Sequence, residues 1–248
     1  MCAEYQVTTT KRRIQEALGI PLSDDDLGKP NSNKRIKLSL PAPIVLLNKK
    51  GEPTVEEKIF PVNPFPNSRL SSLAHGSEDE VPTDREVRRI YEAPLWKKSF
   101  AEHPVLIPMT GFFEPVYWGK DIGTVQEFKV PDTEVFFAAG MLIKPRIPKS
   151  DDLNGFSIFT HTATEQMLKY HQRLVVLLKP GSEAQYLEEM SPQMRFEFLI
   201  ENRYDGGLDV AKDRTMAKGW EKKIGVQEAK LKREQAYLET LKDEKISG

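Results

Sequence analysis

Apolar positions recur at helical spacing towards both ends of the chain and as short, closely spaced runs in the middle. Residues 8–19 (TTTKRRIQEALG) predict an amphipathic helix with Thr10 in the N-cap position and Gly19 as its stop. The polar stretch PLSDDDLGKPNSNKRIK reads as a loop or surface excursion. Residues 41–60 predict two strands around an Asn-Lys-Lys-Gly-Glu turn, after which the prolines of PVNPFPNSR break regular structure. In DREVRRIYEAPLWKKSF the helical spacing holds until Pro94 interrupts it. VLIPM, GFFEPVYW, FKV, VFFAAGMLI, GFSIFTHT and RLVVLL are β-branched and aromatic runs separated by turn residues, the pattern of a mainly antiparallel sheet curling towards a barrel. Thr162-Ala-Thr-Glu165 has capping-box spacing and predicts one interrupting helix, ATEQMLKYH, ending near His171.

Beyond Pro180 the pattern turns helical: GSEAQYLEEM, then QMRFEFLIEN with Ser191 as N-cap and Pro192 as first helical residue. From Trp220 the chain is rich in Lys, Glu and Leu, with Ile224, Leu231 and Leu238 at seven-residue spacing. That tail is one helix packed on the body or a short coiled coil. The fold class expected is therefore α+β, with a mainly antiparallel, curled or barrel-like sheet, surrounding helices and a helical C-terminal extension. The boundaries fall at residues 1–205 for the main domain and 206–248 for the extension.

Composition narrows the function. With 39% hydrophobic residues, including 12 Phe, 7 Tyr and 3 Trp, a chain of 248 residues can build its own core. Its 36 Lys and Arg balance 37 Asp and Glu, so nucleic-acid binding must be local rather than a bulk attraction to polyanions. No apolar run approaches the roughly 20 residues that span a bilayer, and the N-terminus lacks a signal-peptide core. A cytoplasmic, nucleoid-associated protein with no membrane partner is the expectation. One cysteine excludes an intrachain disulfide, a Cys-based zinc finger and an Fe–S cluster held by this chain alone. Phosphate-loop, dinucleotide and serine-hydrolase motifs do not occur, and His75, His103, His161 and His171 lack metal-ligand spacing. No metal and no other cofactor is expected.

The position of the cysteine carries the chemistry. Removal of Met1 from Met1-Cys2 would leave Cys2 with a free α-amine beside its thiol, a 1,2-aminothiol. An α-amine of pKa near ~8 is partly neutral at neutral pH, and the neighbouring thiol has a pKa near ~8.5. Such a pair converts an aldehyde first to an imine and then, by closure of sulfur on the imine carbon, to a five-membered thiazolidine. Against an amide or ester, sulfur would attack instead. A cysteine at a frayed terminus with no chemical role is the plain alternative.

Several downstream segments give that cysteine a context. Met1-Cys2, Asn67-Ser-Arg69, Gly111-Phe-Phe-Glu114-Pro, Phe137-Ala-Ala-Gly140-Met-Leu and Thr160-His-Thr-Ala163 running to His171-Gln-Arg173 occur in that order. Together they resemble the SOS response-associated peptidase (SRAP) family over most of residues 1–180. The chain departs from the family pattern in places: Ala3-Glu4 stands where Gly-Arg is usual, Ser71 where Glu is usual, and Pro115 where Trp is usual. Glu4 thus puts an anion where a cation beside the DNA backbone is expected.

The resemblance implies a SRAP-like fold and a set of roles. Cys2 is the nucleophile. Glu114, in an aromatic strand where burial would raise its pKa, moves protons beside the N-terminal amine; otherwise it is an outward strand residue. His171 is a general acid, and a helix C-terminus there would favour imidazolium; otherwise it is a capping histidine. Asn67 hydrogen-bonds the Cys2 amine or the sugar oxygen, or is a turn residue. Arg69 and Arg173 clamp phosphates or orient the acids, against surface salt bridges as the plain reading. Thr160 bonds the reacting centre through its hydroxyl, and Pro41 belongs to a loop that wedges against bases. The basic runs Lys11-Arg12-Arg13 and Lys34-Arg35-Ile36-Lys37 track a single strand or are solvated faces.

The reading that follows is a DNA-damage protein that senses abasic sites in single-stranded DNA and bonds to them through Cys2, with autoproteolysis before Cys2 as a companion activity. Two rivals stand beside it: an N-terminal-nucleophile thiol peptidase or amidase with another substrate, and a decayed interaction module whose C-terminal helix recruits a protein partner or self-associates.

Overall fold

The computed structural model describes residues 4–23, 34–38, 40–60, 96–144 and 152–246. The expected functional residues Cys2, Asn67 and Arg69 lie outside these, as does the helical spacing before Pro94. Strand β1 (Glu4–Val7) leads into α1 (Lys11–Leu18), whose limits are local chemistry. The Thr10 hydroxyl accepts from the Arg13 N–H, and Gly19 takes a left-handed φ of 72° that closes the last turn. Residues 34–37, expected in a loop, form β2 (Lys34–Lys37) instead. The strand exists because Ile36 is buried opposite Tyr5 and β1 supplies the hydrogen-bonding edge.

A closed barrel follows, built from β3 (Pro41–Leu47), β4 (Pro53–Ile59), β5 (Pro104–Met109), β8 (Phe136–Ile143) and β9 (Gly155–Ile158), in the order β3-β4-β9-β8-β5. All its pairs are antiparallel except β4 with β9. The predicted hairpin turn between β3 and β4 is present. Alternation along the strands splits the core in two. Ile44, Ile107, Phe136 and Ala138 join Tyr5, Phe112 and Phe128 of the second sheet, while Val45, Leu106, Phe137 and Ala139 pack on the helices.

That second sheet has the order β12-β7-β6-β1-β2, where β6 is Gly111–Pro115, β7 is Thr124–Lys129 and β12 is Asp209–Thr215. Helices α1, α2 (Lys97–Glu102), α3 (Glu183–Tyr186) and α4 (Pro192–Asn202) cover the other face of the barrel strands through Ile14, Phe100, Tyr186 and Leu199. Ser191 and Pro192 open α4 as expected, with the Ser191 hydroxyl accepting from the Met194 N–H. The helix expected over GSEAQYLEEM shortens to α3. Strand β12 interrupts the helical region expected after Pro180, since its polar sequence finds a hydrogen-bonding edge on β7.

A further correction lies next to His171. The stretch ATEQMLKYH is not a capped helix but a single 3-10 turn, Met167–Lys169. Thr162 belongs to β10 (Thr160–Thr162), paired with β11 (Arg173–Val175), and its hydroxyl donates to Glu234 instead of capping a helix. The C-terminal helix α5 (Ile224–Ile246) is the expected tail helix, and it reaches back to this hairpin.

Candidate active site

Strand β6 and the turn before β11 bring Glu114 and His171 together. Glu114 sits in a run of buried aromatic residues, and only 2% of it is exposed. The tight 3-10 turn delivers His171, whose N–H donates to the Met167 carbonyl; the Trp118 indole N–H donates to the Leu168 carbonyl and ties that turn to the end of β6. His171 Nε2 lies 3.6 Å from Glu114 Oε2, with both side chains buried. That separation is too long for a direct hydrogen bond, and Glu114 Oε2 has no hydrogen-bond partner among the described residues. The carboxyl is therefore open to a reacting group.

Burial sets the proton on each partner. It pushes the Glu114 carboxyl up from 4.5 to about 7, and it holds the His171 imidazole well below its ordinary 6.5. The helix dipole expected to favour imidazolium is absent, because no helix ends there, and desolvation drives the ring to its neutral form. His171 Nδ1 lies 2.9 Å from the Arg173 carbonyl oxygen and 3.2 Å from the Arg173 backbone nitrogen. Nδ1–H can donate to the carbonyl, leaving Nε2 to accept a proton near Glu114; alternatively Nδ1 accepts from the N–H and Nε2–H faces the carboxylate. Both tautomers have a partner, which suits a group that takes up and returns a proton.

A cavity of about 460 Å³ opens over this pair, lined by apolar Phe113 and Tyr117 and by the cations Lys37, Arg214 and Lys230. Lys37 and Lys230 have no ion-pair partner among the described residues. Arg214 is bound: with Arg35 it holds Glu4 and Asp213 in a four-charge network joining β1, β2 and β12. Arg35 also lies 4.1 Å over the Phe113 ring. Glu4 is thus neutralised within the sheet, and the Lys34–Lys37 run divides into an internal ion-pair residue, Arg35, and a cavity residue, Lys37.

The remaining expected residues fall in different places. Arg173 is buried; its Nη2 donates to the Thr160 carbonyl at 2.8 Å and to the Thr160 hydroxyl at 3.0 Å, and its Nη1 pairs with Glu234 at 3.4 Å. Thr160 therefore orients Arg173, and through it the backbone that positions His171. Pro41 is exposed at the start of β3 and does not line the cavity. Lys37 comes from a basic run marked in the sequence, whereas no local motif marks Arg214, Gln227 or Lys230: these three reach the cavity through tertiary placement alone.

The sequence profile of the SOS response associated peptidase (SRAP) family matches residues 1–211, from Met1 into β12 and across every motif quoted above. The chain belongs to the SRAP family. Solved structures agree on the SRAP chain's fold. A protein from Bordetella bronchiseptica superposes with a TM-score of 0.60 at 15% identity, covering 86% of this chain and 100% of its own. A phage-related protein from the same organism gives 0.61 at 15% identity over 86% and 95%, and one from Bacteroides thetaiotaomicron 0.58 at 15% over 86% and 92%. No curated protein matches the sequence. Family membership supports a DNA-damage-associated function, and the family's name a peptidase-like one. Among the described residues, no helix is long and apolar enough to cross a membrane.

Proposed function

We propose that this SRAP protein captures abasic sites in single-stranded DNA as a covalent thiazolidine on Cys2. The observation that carries the reading is the buried Glu114–His171 pair under a cavity lined by Lys37 and Lys230. In the reaction the neutral α-amine of Cys2 attacks the aldehyde carbon of the ring-opened sugar, protonated Glu114 gives a proton to the departing oxygen, and one water leaves as the imine forms. The thiol then adds across the C=N bond: sulfur bonds to carbon and its proton passes to nitrogen, with His171 as relay. No oxidant or metal is needed for the balance. Lys37 and Lys230 supply charge for the flanking phosphates. The family's peptidase name supports a second use of the same groups, in which ionised Glu114 takes the proton of the Cys2 thiol as sulfur attacks a peptide carbonyl. The C–N bond breaks, the leaving amine takes up that proton, and water hydrolyses the thioester to restore the thiol.

The test is a denaturing gel of protein incubated with abasic single-stranded, intact single-stranded and abasic duplex oligonucleotides. A heat-stable adduct is expected with the abasic single strand alone, and is lost in Cys2→Ser and when Met1 is retained. An equal adduct from Cys2→Ser would point to a lysine Schiff base and overturn the reading.

A further inference from the structure

Glu234 is an acid buried in an otherwise polar contact. It is 1% exposed, the one fully buried side chain among those described on α5. Its carboxylate accepts from the Thr162 hydroxyl at 2.9 Å and pairs with Arg173 Nη1 at 3.4 Å. One turn or two before it on the same helix face, Lys230 and Gln227 line the cavity, and the Gln172 amide donates to Gln227 at 3.3 Å. The side of α5 that meets the site is therefore polar, while its Val226 is 59% exposed. Among its described side chains, a helix held in this way loses little apolar burial on leaving. A buried ion pair roughly balances its Coulomb gain against desolvation, so a competing anion can replace one partner at small net cost.

We propose that α5 is a displaceable strap over the site, with the Glu234 carboxylate holding Arg173 until a phosphate of the incoming single strand takes its place. Carboxylate and phosphodiester oxygens accept alike from a guanidinium. The backbone of Arg173 contacts His171 Nδ1, so an anion exchanged at Arg173 lies next to the reacting pair. Residues 224–246 are wholly beyond the segment matched to the family, so the strap is an addition to the site that segment supplies. The inference rests on the single-strand reading above and adds its regulation: unbound protein is closed by its own acid, and the strand opens it.

The experiment uses the full chain carrying Cys2→Ser, so that binding is reversible. Hydrogen exchange of the α5 amides is followed with and without saturating short single-stranded DNA, and affinity is compared with that of Cys2→Ser/Glu234→Gln, which keeps the shape and the Thr162 contact. Exchange in α5 should accelerate on binding, and Glu234→Gln should tighten binding by roughly tenfold, as loss of one competing charge would. Protection of α5 in the complex, or binding unchanged or weakened by Glu234→Gln, overturns the strap and leaves the single-strand reading intact. Opening by inorganic phosphate alone would assign Arg173 to small anions and overturn the strand as displacer. If neither protein binds single strands, the functional reading itself fails. The exchange measurement does not depend on how the Gln variant folds.

Discussion

Glu114 concentrates the cost and the use of the site in one residue. Its carboxyl is pushed up from 4.5 to about 7 by burial, so the folded state holds the proton more tightly than the unfolded chain does. That contribution to stability is complete below about pH 4.5 and is lost as pH rises through about 7. His171 runs the other way: its lowered value favours folding above about 6.5, the ordinary value, and the benefit fades as pH falls. Glu114→Gln should therefore raise stability at pH 8 by up to about 3 kcal/mol and have little effect near pH 4. Urea denaturation at both pH values checks this, and an equal shift at the two would place the titration elsewhere. The same group should appear in kinetics. If protonated Glu114 is the acid in imine formation, the rate of adduct formation falls with a descending limb near pH 7, and that limb disappears in Glu114→Gln. A limb that survives the substitution would remove Glu114 from the role.

Elements were legible where their causes are local. Thr10 and Gly19 bound α1 because a hydroxyl cap and a left-handed glycine act within one turn, and Ser191-Pro192 starts α4 for the same reason. The barrel strands showed as aromatic and β-branched runs. Gly140 in the Phe-Ala-Ala-Gly run has a reason that only the packed pair reveals: a Cβ there would lie 2.2 Å from the Ser157 carbonyl oxygen and 2.6 Å from Ile107 Cδ1. Gly140→Ala should cost about 3 kcal/mol or more by forcing β8 from β9, measured as a shift in urea midpoint with unchanged slope. A variant as stable as the parent would mean that the two strands can separate without loss. Elements with distant causes stayed hidden. Strand β12 carries a polar sequence and exists because β7 offers an edge. The capping-box spacing at Thr162 misled because the hydroxyl is taken by Glu234, 72 residues away. With that helix went the dipole argument for His171, whose proton is set by burial that no neighbouring residue announces.

Across the whole molecule, residues from β1, β2, β6, β7, β12, α5 and the turn before β11 meet at one cavity although the chain carries a formal charge of only -1. The resemblance to the SRAP family marked Glu114, Thr160, His171 and Arg173 in the sequence, since those lie in ordered motifs. Lys37, Arg214, Lys230 and Glu234 had no such marker, and the last three lie beyond the matched residues. A nearly neutral chain gathers cations where the fold assembles them, and under the proposed reading phosphates would meet that local charge instead of a basic surface. The central claim is the bond between Cys2 and an abasic sugar, and the most direct measurement is the intact mass of the protein after incubation with an abasic single-stranded oligonucleotide, followed by peptide mapping. The account predicts the mass of the chain without Met1 plus that of the oligonucleotide minus one water, with the added mass on the peptide that begins at Cys2. A mass without loss of water, or an adduct mapped to any lysine, would contradict it.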